Sequence, residues 1–153
     1  MMTQPGGDRL EVRIFTLADY VATPPDGKLY ISGGGVDQMM MQEIPGNLGP
    51  LALAVRIRVP WHMTSDTVSV QVRALNSDRE PIDRDPIMGA DVEVGRPPGA
   101  RPGDEIAIGF VVSLLGFPVR EEGSIHFHLI ANGETLATLP LKVRRAPQPR
   151  PAS

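Results

Sequence analysis

Two histidines, His126 and His128, stand two residues apart in the run SIHFHLIA at residues 124–131. On an extended strand, residues i and i+2 project from the same face, about 7 Å apart. Both imidazoles therefore face one way and offer the paired nitrogen donors seen in some zinc and copper sites. A metal needs a third donor, and the remaining histidine, His62, belongs to a separate connection. Against the metal reading stands a plain exposed pair, which strand alternation produces with no ligand at all.

The rest of the reactive inventory is thin. Cysteine is absent, which removes thiolate nucleophiles, disulfides and cysteine-bound zinc. No serine sits in a nucleophile-elbow context. Asp78, Asp83 and Asp85 crowd one loop, but the fixed spacing and turning glycine of a calcium loop are missing. Gly33, Gly34 and Gly35 follow a strand with no phosphate-binding lysine and no helix after them, so they read as a turn. No pair of carboxylates meets an apolar wall that would split their acidities. The expectation is a protein with no catalytic residues and no cofactor. Three features suit contact with a protein partner instead. They are the soft run Met39, Met40 and Met41, the aromatic Trp61 beside His62, and Val111 on a strand that is apolar on both faces.

The elements that would carry these residues are strands. In residues 51–59 (LALAVRIRV), Leu51, Leu53, Val55, Ile57 and Val59 alternate with Ala52, Ala54, Arg56 and Arg58. Residues 67–75 (TVSVQVRAL) repeat the pattern, with Val68, Val70, Val72 and Ala74 on one side. A period of two with β-branched residues on one side signals half-buried antiparallel strands. The short polar link between these two runs predicts a hairpin. Further strands are expected over residues 9–17, 28–32, 90–94, 104–115, 124–131 and 136–143, the last two joined by the strong hairpin signal Asn132-Gly133. A strand through the methionine run is expected as well. The architecture predicted is all-β: a single antiparallel β-sandwich of about eight strands, immunoglobulin-like or C2-like.

Residues 9–143 form the expected domain, between a polar tail at 1–8 and a basic, proline-rich tail at 144–153, both expected to be disordered. The chain of 153 residues is long enough to bury a core without staples. Its net charge is −3, and because the last ten residues hold three arginines and no acid, the first 143 carry −6. An acidic body short of exposed aromatics argues against nucleic acid. The N-terminus lacks secretory order and no apolar run approaches spanning length, so no membrane association and a cytoplasmic location are expected.

Several fragments together resemble an uncharacterised bacterial family of small single-domain proteins. They are Leu17-Ala18-Asp19-Tyr20, the Pro25–Leu29 turn, Gly33-Gly34-Gly35-Val36-Asp37, LAVRIRVPW at 53–61, EVGRPPG at 93–99, and Asn132-Gly133-Glu134 before Leu139-Pro140-Leu141. Val36 departs from the pattern, in which Trp is more frequent. The resemblance implies one compact β domain and supplies no catalytic residues. The expected role is a non-enzymatic binding or structural module acting through a protein partner or self-association. One alternative is a small-molecule or metal-binding protein using His126, His128 and His62; another is a phage structural or decoration protein.

Overall fold

The computed structural model describes residues 9–25 and 27–147. The strands, in chain order, are β1 (Glu11–Ala22), β2 (Tyr30–Gly34), β3 (Gln38–Met41), β4 (Gly46–Asn47), β5 (Ala52–Val59), β6 (Thr67–Leu75), β7 (Met88–Glu93), β8 (Ile106–Ser113), β9 (Pro118–Val119), β10 (Gly123–Ala131) and β11 (Glu134–Arg145). A single turn of 3-10 helix, Trp61–Met63, links β5 to β6. The fold is all-β, as the alternation requires.

A first sheet has the order β2-β1-β5-β8 and a second the order β3-β11-β10-β6-β7, while β4 and β9 pair separately. The inner faces of the two larger sheets share one core. Leu17, Leu53, Val55 and Ile57 from the first meet Val68, Val70, Val72, Phe127, Leu129, Leu141 and Val143 from the second. The Phe117 and Phe127 rings meet edge to face at 6.2 Å between centroids.

Three expectations are corrected. First, the strands number eleven among the described residues, and β3 runs parallel to β11, so the second sheet is mixed rather than antiparallel. Second, β5 and β6 do not form a hairpin. β5 pairs with β1 and β8, whereas β6 pairs with β10 and β7. Apolar residues on both faces of β5 require cover on both sides, and the Trp61–Met63 turn carries the chain across to the other sheet. Third, β11 continues through Arg144 and Arg145, because their backbones pair with Met40 and Met41 and the Ala146 amide donates to the Met41 carbonyl at 2.7 Å. Residues 1–8 and the last six of the C-terminal tail lie outside the described residues. The outer face of β8, apolar in the sequence, is covered by the chain itself rather than by a partner. Ala18, Val21, Ala52 and Ala54 form a second small cluster, with Ile14, Leu29 and Val111 packed on it. Leu29 reaches β8 across the outside of the first sheet, where a side-chain carbon on Gly109 would lie 3.9 Å from it.

The glycine run does turn the chain, from one sheet to the other. Gly33 and Gly35 take φ of 67° and 82°, and the Val36 amide donates to the Leu17 carbonyl at 3.0 Å. At the other signalled turn, Asn132 and Gly133 have φ of 49° and 80°, the paired positive values of a two-residue type I′ hairpin.

Candidate functional site

In β10 every second residue, Ile125, Phe127, Leu129 and Ala131, is buried in the core, so His126 and His128 point out of the second sheet. His126 sits between Leu75 of β6 and Pro140 of β11, and His128 between Arg73 and Thr138. Arg73 is held by bonds from its guanidinium to the Gln71 Oε1 at 3.3 Å and the Arg84 carbonyl at 3.5 Å. Arg79 stands close by, on a tight loop. There the Asn76 side-chain oxygen accepts the amides of Asp78 and Glu80, each at 2.9 Å. Partial burial, then the charges of His126 and Arg79, hold the His128 pKa below the ordinary imidazole value.

His62 does not join this pair. It lies in the turn before β6 begins at Thr67, whereas His128 is level with Arg73, six residues or about 20 Å farther along that strand. Among the described residues no three His, Cys, Asp or Glu side chains come together in a way that could hold a metal ion.

The residues proposed for partner contact scatter. Met41 is buried and Met39 packs on the core, which leaves Met40 outward at 53% exposure. Val111 faces the small alanine cluster covered by the chain itself. Trp61 is already engaged: the Arg96 guanidinium lies 3.9 Å from its ring centroid. Arg96 also donates from Nε to the Thr64 hydroxyl at 2.6 Å and from Nη2 to the Trp61 carbonyl at 3.1 Å. The Thr64 hydroxyl in turn donates to the Trp61 carbonyl at 2.6 Å. Trp61, Thr64 and Arg96 thus lock the β7–β8 connection onto the β5–β6 turn. Sequence reasoning overlooked Arg96 and Thr64, which are 32 residues apart and carry no local signal.

Sequence reasoning also overlooked the open side of the molecule. β2 and β3 follow one another and form the edges of the two sheets, and residues 29–42 hold a single charge, Asp37. All five residues of β2 are exposed, and Tyr20, Tyr30, Ile31 and Met40 are among the large exposed hydrophobics. At the end formed by the β6–β7 and β9–β10 connections lies a cleft of about 290 Å³, lined by residues including Ser77, Glu80, Arg120 and Glu122. The Ser77 hydroxyl there is occupied, accepting the Ser124 amide at 3.2 Å and donating to its carbonyl at 3.3 Å.

No curated protein is detectably similar to this chain. The model of a family of unknown function, DUF6941, matches residues 13–144. That span runs from β1 to the end of β11 and takes in both large sheets, and the chain belongs to this family.

Proposed function

We propose that this chain is a non-catalytic protein-binding module on an immunoglobulin-like two-sheet scaffold, and that it acts by accepting a strand at its β2 edge from a second copy of itself. The observation that carries this reading is the β2/β3 side described above. Natural sheets blunt open edges with lysine, proline, bulges or covering segments. Here Tyr30–Gly34 has no charge and no proline, Ile31 is exposed on it, and Tyr20 is exposed on the neighbouring β1 opposite Ser32.

Light scattering over a range of concentrations tests it. The wild-type chain is expected to associate, and Tyr20→Lys and Ile31→Lys are each expected to shift it toward monomer with little change in thermal midpoint, because both side chains are exposed. A wild-type chain that stays monomeric throughout would sink the self-association reading.

A further inference from the structure

The two outer faces of the molecule differ. That of the first sheet is covered by the chain's own Leu29 and Val21, which leave Ala18 and Ala54 fully buried. The outer face of the second sheet has no such cover, since its outward residues on β11 and β3, Thr138, Pro140, Lys142, Gln38 and Met40, are all exposed.

Cations gather on one part of this open face. The chain has 18 acidic residues against 15 basic ones. None of the acids occupies an outward position on β3, β6, β10 or β11 between Thr135 and Arg144; those positions carry Arg73, Lys142 and Arg144 as well as the two histidines. Arg79 adds a fourth permanent cation, near enough to act on the ionisation of His128. On the same face Asp91 and Glu93 project outward from edge strand β7, beside Ser69 and Thr67, and end the cationic part on that side. At the foot of β10 stands Glu122, whose carboxylate accepts the Arg145 amide at 2.7 Å. Between the cations stand Leu75 and Pro140, level with His126, which give the face an apolar floor.

We propose that this face docks an acidic, partly apolar polypeptide segment of a partner protein, its carboxylates meeting Arg73, Lys142 and Arg144. Lys142 and Arg144, two residues apart on the outward face of β11, match an extended chain with carboxylates on alternate residues, and Arg73 stands farther along the face, level with Thr138. Nucleic acid fits less well. The face has no phenylalanine, tyrosine or tryptophan ring on which a base could stack. This surface is separate from β2 and stands if the edge reading falls.

The test is a fluorescence-anisotropy titration of labelled poly-L-glutamate with the full chain at low salt. Three variants accompany it: Lys142→Glu with Arg144→Glu, the milder Lys142→Gln with Arg144→Gln, and Arg101→Glu on the remote β7–β8 connection. The wild type is expected to bind. The double reversal should weaken binding at least tenfold and the neutral pair by less, with Arg101→Glu unchanged. Thermal unfolding checks that each variant is folded. Absence of wild-type binding, or equal weakening by Arg101→Glu, would overturn the proposal. So would oligothymidylate binding as tightly as poly-L-glutamate with the same loss in the double reversal, since that would make the face a nucleic-acid site. Tyr20 and Ile31 are untouched throughout, so the result reads independently of self-association.

Discussion

His128 ties the open face to pH. Burial, His126 and Arg79 lower its pKa in the folded chain, so the unfolded chain, with an ordinary histidine near 6.5, takes up the proton first as pH falls. Acidification through that window favours unfolding, and the loss levels off once the folded imidazole is also protonated. Urea midpoints at pH 7.5 and 5.5 should fall for the wild type and fall less for His128→Gln. Equal falls would remove His128 as the source. A second group of residues is expected to matter at all pH values. Thr64 is only 1% exposed, and its hydroxyl serves both the Trp61 carbonyl and Arg96. Thr64→Val takes the acceptor from the Arg96 Nε, while the Trp61 carbonyl keeps the Arg96 Nη2 and the Thr64 amide, and is expected to lower stability by about 1 kcal/mol. Arg96→Ala removes the contact over the Trp61 ring and is expected to lower it by about 0.5–2 kcal/mol. Denaturant unfolding measures both. The histidine pair was legible because spacing on a strand fixes its face. The grip of Arg96 on Trp61 was not, because 35 residues separate them and only the folded chain brings them together.

Among the elements, alternation located most of the strands and showed which face of each is buried. It could not say which strands are neighbours. The Asn132-Gly133 hairpin was readable because two residues with positive φ leave one geometry for the flanking strands. β5 and β6 looked like a similar pair, yet their connection crosses the core; the small residues Ala52 and Ala54 on the second face of β5 were the signal that this strand is covered on both sides. Leu29 is part of that cover. Leu29→Ala is expected to lower stability by about 1–2 kcal/mol, less than the 2–5 of a fully buried leucine because the side chain is only half-buried. Amide exchange localises the effect: β1 and β2 should exchange faster while β10 and β11 keep their protection. Uniform acceleration in all strands would show that Leu29 supports the whole core rather than the cover of one sheet.

For the whole molecule, three surfaces divide the work. One outer face is closed by the chain, one is open and cationic, and the side between them is an uncharged pair of edges. Net charge alone hid this arrangement, since a chain at −3 gives no hint that β3, β10 and the outward side of β6 carry no acid while Asp91 and Glu93 sit on the neighbouring β7. The sheet order that produces it rests on pairings across the chain, such as Gln38 with Lys142, which no local pattern announces. The two association tests above ask separately about the edge and the open face.

That same pairing sets an order of events in the cell. A ribosome makes β3 about a hundred residues before it makes β11, the strand that β3 lies against. Until β11 emerges, β3 has no neighbour and β10 lacks one of its two, while the whole first sheet already has its strands. The nascent chain therefore passes through a stage in which one sheet has all its strands and the other still lacks the strand that joins β3 to β10.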